Sequence, residues 1–248
     1  MTYCVGLYLE EGLVMLADTR TNAGVDNIST YSKTFIWENP GERTITMMSA
    51  GNLAVTQAVV ALIEEGLVPE EHPDGDIHTM YNVPTMFKAA RLVGQAVRQV
   101  YIEDAEAMEA QNTTFSASFL LGGQIRGRGM RLFQVYAAGN FINATEDTPF
   151  LQIGEHKYGK PILDRALDYG GTSLTEGTKL ALLSMDSTIR SNLTVGFPLD
   201  LVIYRKDELK VGVKVRIKED DPYFKDLSSR WSEALRAAYQ AFPSPDWA

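Results

Sequence analysis

Four residues in the first part of the chain have the types and the order needed to hydrolyse an amide bond. Thr2 follows Met1 directly, so removal of one methionine would leave a threonine with both a hydroxyl and a free α-amine. An α-amine has a reference pKa of about 7.7–8.0, so a fraction is neutral near pH 7 and can accept the hydroxyl proton. Asp18, Lys33 and Gly51 follow in that order. The set predicts a nucleophile that carries its own general base.

Each of the three downstream residues has a physical role beside such a nucleophile. A protonated Lys33 favours the neutral form of a nearby amine by like-charge repulsion and steadies charge near the hydroxyl. Asp18, at the end of an apolar strand, would pair with Lys33 and hold it in place. Gly51 lies where a strand becomes a helix, so its N–H is expected to point outward and to stabilise a developing oxyanion. Taken singly, each residue also has an ordinary structural role, and only the ordered set favours catalysis.

The elements that must position these residues form runs of strands separated by pairs of helices. The predicted strands cover residues 3–9, 13–18, 33–37, 43–48, 115–124, 131–138, 151–153, 199–205 and 209–217, with a polar loop at 19–24. The predicted helices cover 49–65, 84–111 (with Pro84 in the first turn), 158–169 and 174–190, and a last one runs from Ser228 or Ser229 to Phe242 after an irregular acidic stretch at 219–227. This order indicates an α+β protein with two stacked antiparallel sheets and helix pairs outside them. A doubly wound nucleotide-binding fold is disfavoured because no G-x-G-x-x-G or P-loop occurs.

Composition limits the partners. The 248 residues, 45% hydrophobic and 22% charged, are typical of a globular protein, and the net charge of −9 argues against nucleic acid or an anionic membrane. No apolar run reaches the ~18 residues of a membrane span, and no secretory signal precedes the first strand. Cys4 is the single cysteine and is predicted to be a core residue. One cysteine cannot form an internal disulfide, which fits a reducing compartment, so we expect a cytoplasmic protein. We expect no metal and no other cofactor, because His72 and His78 lack ligand spacing.

The pattern is similar to the front half of a proteasome-type β subunit. It consists, in order, of Thr2, a strand, Gly12, a second strand, Asp18, Lys33 and Ser49-Ala50-Gly51. Over nearly its full length the chain resembles the bacterial proteasome homologues of the Anbu (ancestral β subunit) family, which belong to the N-terminal-nucleophile hydrolases. The resemblance implies a four-layer αββα sandwich over residues 1–218 and an appended C-terminal helix in a tail at 219–248. It also implies a threonine endopeptidase that acts on peptides or unfolded proteins.

The resemblance is less even in the second half. The segment 186–192 is similar to the one that brings an aspartate and a hydroxyl residue near the catalytic amine, which assigns these roles to Asp186 and Ser191. A Gly-Ser-Gly segment of the family is Gly154-Glu155-His156 here, so Glu155 replaces a serine of the hydrogen-bond network around the amine. Glu155 either substitutes as an acceptor or proton shuttle, or it faces away.

The resemblance to proteasome-type β subunits also implies a pocket for a substrate side chain, at positions matched by their spacing from Thr2. Its walls would be Thr21, Tyr31, Ser49 and Leu53. None of the four is charged, so we expect an uncharged or apolar residue before the cleaved bond.

Two functions of other kinds remain open. One is a non-catalytic shell subunit, although such subunits carry a helical extension before the first strand and here Thr2 begins the strand directly. The other is an amidohydrolase of the same fold that acts on small amides.

The C-terminal tail suggests self-assembly. Its predicted helix carries one apolar stripe, formed by Trp231, Leu235, Ala238, Tyr239 and Phe242. An exposed stripe is a liability in a monomer, so it packs either on its own domain or on a neighbour. We expect the neighbour, and therefore a homo-oligomeric ring or spiral. Any unfoldase partner is left open.

Overall fold

The structure is a computed structural model, which describes residues 2–22 and 28–247. Within them, the strands are β1 (Tyr3–Leu9), β2 (Gly12–Asp18), β3 (Arg20–Asn22), β4 (Ile28–Thr30), β5 (Thr34–Asn39), β6 (Arg43–Gly51), β7 (Ala117–Ile125), β8 (Arg131–Val135), β9 (Phe141–Asn143), β10 (Phe150–Gly154), β11 (Leu199–Arg205) and β12 (Val213–Ile217). The helices are α1 (Leu53–Glu65), α2 (Met86–Ala110), α3 (Lys160–Ala166), α4 (Leu174–Ser191) and α5 (Pro222–Gln240).

The strands form two five-stranded sheets and one short hairpin. The first sheet has the order β10-β1-β2-β11-β12, the second has the order β5-β6-β7-β8-β9, and β3 pairs with β4. Neighbouring strands pair antiparallel in all three. The prediction of an α+β protein with antiparallel sheets is confirmed.

Three apolar clusters hold these elements together. One joins the inner faces of the two large sheets, where Cys4 and Met15 of the first sheet meet Met48, Leu120 and Leu132 of the second. Another packs α1 and α2 on the second sheet, and a third packs α3 and α4 on the first. The central strands β1 and β2 are therefore covered on both faces, which explains why their sequences are apolar throughout rather than alternating. Burial of one large apolar side chain contributes about 1.5–3 kcal/mol, so these two strands contribute much of the stability of the core.

The predicted start of the last helix is wrong. α5 begins at Pro222, and the Asp221 side chain caps it by accepting a hydrogen bond from the Phe224 N–H at 2.8 Å. Aspartate followed by proline is a strong helix start, because the carboxylate binds free N–H groups and proline has no N–H to satisfy. Phe224 is buried and its ring packs edge-on against Phe197, 5.0 Å between centroids. Most of the stretch predicted as irregular is thus the first turns of α5.

Further boundaries differ from the prediction, beginning with β6, which continues to Gly51, so that the first helix begins at Leu53 and not at residue 49. Residues 20–22, predicted as loop, form β3, and Lys33 precedes β5 instead of opening it. Thr85 caps α2 by accepting from the Lys88 N–H at 3.1 Å, so Pro84 lies before the helix. The third predicted helix is confined to α3, and the last strand begins only at Val213. Among the helices of the described ranges, none is long and apolar enough to cross a membrane.

Candidate active site

Thr2 lies immediately before β1, and only 8% of its surface is exposed. The peptide group that joins it to Tyr3 is held on both sides. The Thr2 carbonyl accepts a hydrogen bond from the Glu155 N–H at 2.8 Å, and the Tyr3 N–H donates to Asp18 Oδ1 at 3.0 Å. Gly154 permits this close approach, because a Cβ atom there would lie 1.8 Å from the Thr2 carbonyl oxygen. The position of Thr2 is therefore determined by β10 on one side and β2 on the other.

Lys33 and Asp18 form a buried ion pair next to this peptide. Lys33 Nζ donates to Asp18 Oδ1 at 2.8 Å and to the Arg20 carbonyl oxygen at 2.7 Å. The Gly196 N–H approaches Asp18 Oδ2 at 3.4 Å. Burial raises the pKa of Asp18, and the Lys33 ammonium and the two backbone N–H groups oppose that rise. The structure thus brings Thr2, Asp18 and Lys33 together, as their order in the sequence predicted.

Gly51 ends β6 with its N–H directed toward the same region. Two positions earlier, the Ser49 N–H donates to the Lys33 carbonyl at 3.0 Å, whereas the Asn52 N–H donates to Ser116 on the opposite side at 2.8 Å. Because backbone groups alternate along a strand, the Gly51 N–H points to the side on which Lys33 lies. Its φ of +129° and a distance of 2.2 Å from a would-be Cβ to the Ser116 carbonyl oxygen explain the need for glycine.

These groups share one cleft of about 330 Å³. Its walls are Thr2, Arg20, Thr21, Lys33, Ser49, Ala50, Gly51, Asn52, Leu53 and Thr56. Three of the four residues predicted to bind a substrate side chain therefore line it. The fourth, Tyr31, is 43% exposed and is not part of the wall.

Four wall residues were not assigned a role from the sequence, and one of them is Ala50, which precedes Gly51. Asn52 and Thr56 lie at the start of α1, and Arg20 belongs to β3, which was predicted as loop. The Arg20 guanidinium donates to the Leu193 carbonyl at 2.9 Å, so it is turned toward the segment between α4 and β11. The apolar spacing of α1 was a usable signal for Thr56, whereas a three-residue strand leaves no periodic signal.

Asp186 and Ser191 lie elsewhere. Asp186 is buried in α4 and its carboxylate accepts from Arg190 Nε at 3.1 Å. Arg190 in turn donates to Ser228 Oγ of α5 at 2.7 Å. Ser191 ends α4 with an exposed side chain. Neither residue lines the cleft, and this part of α4 faces the C-terminal helix.

Glu155 faces the segment that follows α4. Its carboxylate accepts a hydrogen bond from Asn192 Nδ2 at 3.0 Å and lies 3.6 Å from Lys157 Nζ. These contacts join the carboxylate to Asn192 and Lys157 and not to Thr2, so they do not decide between the two alternatives left open by the sequence. Asn192 was not singled out from the sequence. The fully buried Cys4 packs between the sheets, as predicted, and burial raises the pKa of its thiol.

The same architecture is found in solved structures of Anbu proteins. A Gly-1 mutant of Anbu from Hyphomicrobium sp. strain MC1 is 52% identical, with a TM-score of 0.89 over 99% of this chain and 100% of that chain. The chain belongs to the Anbu family. Anbu (ancestral β-subunit) from Yersinia bercovieri is 46% identical, with a TM-score of 0.89 and coverage of 99% and 100% of the two chains. Anbu from Pseudomonas aeruginosa, solved as a helical assembly of the Anbu complex, is 45% identical, with a TM-score of 0.89 and coverage of 98% of each.

Two other comparisons are negative. No family profile matches the chain, and no curated protein matches it. The family assignment therefore rests on identity to solved Anbu structures over nearly the whole length of both chains. The resemblance inferred from the spacing of Thr2, Asp18, Lys33 and Gly51 is confirmed at this level.

Proposed function

We propose that this Anbu chain is a threonine endopeptidase of the N-terminal-nucleophile class, active once Met1 has been removed. The observation that carries the proposal is that Thr2, Lys33 and Gly51 line one cleft, with Lys33 held by the buried Asp18. Met1 itself lies outside the described residues. While Met1 remains, the nitrogen of Thr2 is an amide and cannot serve as a base.

In the first step, Thr2 Oγ attacks a peptide carbonyl while its proton passes to the α-amine. An ammonium has three N–H donors, and Lys33 uses two of them for Asp18 and Arg20, so the third is assigned to the Thr2 hydroxyl. The positive charge of Lys33 also favours the neutral, proton-accepting form of the amine. The Gly51 N–H, at the start of α1, stabilises the oxyanion of the tetrahedral intermediate.

In the second step, the C–N bond of the substrate breaks and the leaving amine takes the proton from the α-ammonium. An ester on Thr2 remains. Water then attacks this ester with the α-amine again as general base, which releases the acid product and restores the hydroxyl. Neither step requires a cofactor.

We also propose the finer architecture that the resemblance implies. The helix–sheet clusters on both sides of the sheet–sheet core support a four-layer αββα sandwich of the N-terminal-nucleophile type over residues 1–218. The tail at 219–248 forms the appended C-terminal part. The whole chain has a single cysteine and therefore no internal disulfide, which fits a reducing compartment, so we propose the cytoplasm.

Self-assembly is part of the proposal. On α5, Leu235 and Tyr239 are exposed, and so is Phe242 just beyond its end. Trp231 of the same stripe is half-buried. A relative from Pseudomonas aeruginosa forms a helical assembly. We propose that this stripe contacts a second copy of the chain in a ring or spiral, which also limits access of folded proteins to Thr2.

The decisive experiment combines intact mass with peptide turnover. The purified protein should lack Met1, hydrolyse unstructured peptides and bind a Thr-directed electrophile covalently. Thr2→Ala should abolish turnover and labelling, whereas Thr175→Ala, an exposed position on α4, should change neither. Turnover and labelling of Thr2→Ala at the wild-type rate would overturn the proposal.

The two alternatives give other outcomes in the same assay. A non-catalytic shell subunit would retain Met1 or show no turnover of any substrate. An amidohydrolase would lose its activity in Thr2→Ala but would process small amides and not peptides.

A further inference from the structure

The segment between α4 and β11 contributes a hydrogen-bonded pair that has no assigned role. Asn192 follows the last residue of α4, and its Nδ2 donates to the Glu155 carboxylate at 3.0 Å. Glu155 follows Gly154 at the end of β10, and its own N–H donates to the Thr2 carbonyl. The Asn192 side chain is thus one hydrogen bond away from the residue whose backbone holds Thr2.

The chemistry of the pair requires an amide at 192. Asn192 Oδ1 accepts from the Thr194 N–H at 2.9 Å and from the Thr194 hydroxyl at 2.6 Å. Its carbonyl end is therefore committed to Thr194, and only the NH₂ end is left to face Glu155. An ionised carboxylate has acceptors only, so the partner must donate. Aspartate at 192 could still serve Thr194, but it would set two carboxylates against each other.

The pair closes a ring of contacts around the Thr2–Tyr3 peptide. From Thr194 the chain runs to Gly196, whose N–H approaches Asp18 Oδ2 at 3.4 Å. Asp18 Oδ1 accepts from the Tyr3 N–H, and the Thr2 carbonyl of the same peptide group accepts from the Glu155 N–H, which closes the ring. The ring thus connects both hydrogen-bonding groups of that peptide to one short segment.

Arg20 holds this segment from the cleft side. Its guanidinium donates to the Leu193 carbonyl at 2.9 Å and packs on Gly196, where a Cβ atom would lie 2.3 Å from Arg20 Cζ. A shift of the segment between α4 and β11 would therefore move Arg20 in the cleft wall as well as Thr2.

We propose that Asn192 and Glu155 are positioning residues for the Thr2 nucleophile, acting through a donor on 192 and an acceptor on 155. This inference rests on the proposed function. The pair contacts no substrate, but it fixes Thr2 relative to Lys33 and the Gly51 N–H. A misplacement of about 1 Å at a reacting centre costs about 100-fold in rate, so loss of the pair should lower kcat by about that factor and leave KM within about threefold.

The test is an exchange of donor and acceptor. Asn192→Asp should lower kcat about 100-fold, because it removes the donor and opposes two carboxylates. Glu155→Gln retains an acceptor and should stay within about threefold of wild type. In the double variant Asn192→Asp with Glu155→Gln, the new glutamine amide can donate to the new carboxylate, and kcat should recover to within about tenfold of wild type. Lys157→Ala removes only the exposed partner of Glu155 and serves as the control.

The outcomes separate the positioning role from the proposed function. An unaltered kcat in Asn192→Asp, or a double variant no faster than Asn192→Asp, would overturn the positioning role while leaving peptide hydrolysis in place. A wild-type chain that lacks Met1 and hydrolyses nothing would overturn the proposed function instead. Thermal unfolding of each variant checks folding. If Asn192→Asp does not fold, Glu155→Ala carries the test, with the same loss of kcat expected and an unaltered kcat overturning the role.

Discussion

Lys33 and Asp18 form an ion pair with 2.8 Å between Nζ and Oδ1, and both side chains are almost completely shielded from water. Isolating two charges from water is costly, and removal of one partner from such a pair typically destabilises a protein by about 3–5 kcal/mol. Asp18 also accepts the Tyr3 N–H, so the pair connects directly to the first peptide group after Thr2. The same two residues therefore contribute to stability and to the geometry of the proposed nucleophile.

Lys33→Ala should lower kcat by at least about 100-fold. Without the neighbouring cation, the Thr2 amine is protonated to a greater extent near pH 7 and is a poorer base. Lys33→Arg should not restore activity, because a planar guanidinium cannot occupy the site of a compact ammonium between Asp18 and the Arg20 carbonyl. Steady-state kinetics on a peptide substrate measure both, with the exposed Lys160 replaced by alanine as the control. Near-normal rates in either Lys33 variant would exclude the assigned role.

The stability of Lys33→Met should depend on pH through Asp18. Burial raises the pKa of Asp18 in the folded chain, and without Lys33 the main opposing charge is gone. Over the range between the unfolded pKa of about 3.9 and the raised folded pKa, the folded state binds more protons than the unfolded state. Stability relative to wild type therefore falls as pH rises through this range and is least impaired below it.

Urea unfolding of wild type and Lys33→Met between pH 4 and pH 8 measures this difference. Adding Asp18→Asn to Lys33→Met removes the titrating group and should remove the extra pH dependence. Parallel stability profiles for wild type and Lys33→Met would contradict the predicted pH dependence, and an extra pH dependence that persists after Asp18→Asn would show that another group causes it.

Gly51→Ala should lower kcat by about 10²–10³-fold, the usual cost of losing one oxyanion donor. A Cβ atom at this position would collide with the Ser116 carbonyl, so the backbone and its N–H must move. Gly127→Ala is a matched control, because Gly127 also has a positive φ, +72°, but a Cβ atom there would meet nothing within 4 Å. Equal kinetic losses in the two variants would point to a general effect of backbone strain.

Peptide cleavage should favour an uncharged or apolar residue before the cleaved bond. Thr21, Ser49 and Leu53 line the cleft beside Thr2 and are uncharged, while its two charged wall residues, Arg20 and Lys33, hydrogen-bond to the Leu193 carbonyl and to Asp18. Leu53→Glu should shift a peptide-library profile toward basic residues at that position. Tyr31→Glu should leave the preferred residue unaltered, since Tyr31 is not part of the cleft wall. A wild-type profile dominated by acidic or basic residues would contradict this account of the pocket.

Replacing Leu235, Tyr239 and Phe242 together by serine should reduce the size of the assembly measured by light scattering. The expected reason is loss of apolar contacts between copies, at about 25 cal/mol per Å² of buried surface. Substitution is a cleaner test than truncation after Lys218, which would also remove the buried Phe224. Arg230→Ser with Glu233→Ser alters exposed polar positions of the same helix and is the control. An unchanged assembly in the triple variant would exclude this role for the stripe.

The sequence by itself determined the features that depend on local pattern. Apolar runs placed the central strands, and the order Thr2, Asp18, Lys33 and Gly51 predicted which residues the structure brings together. Such features are readable because a strand end, a turn and a helix start direct their side chains and N–H groups by local backbone geometry. The family followed from the same residues.

Only the tertiary structure decided which residues of the second half reach the site. Asp186 and Asn192 belong to one short segment, yet one faces Arg190 and α5 while the other faces Glu155. Side chains around a helix point in all directions, and the chain turns sharply where α4 ends, so a few positions reverse the side that a residue faces. That direction is set by packing between elements far apart in the chain. The same holds for Arg20, whose place in the cleft depends on the pairing of β3 with β4.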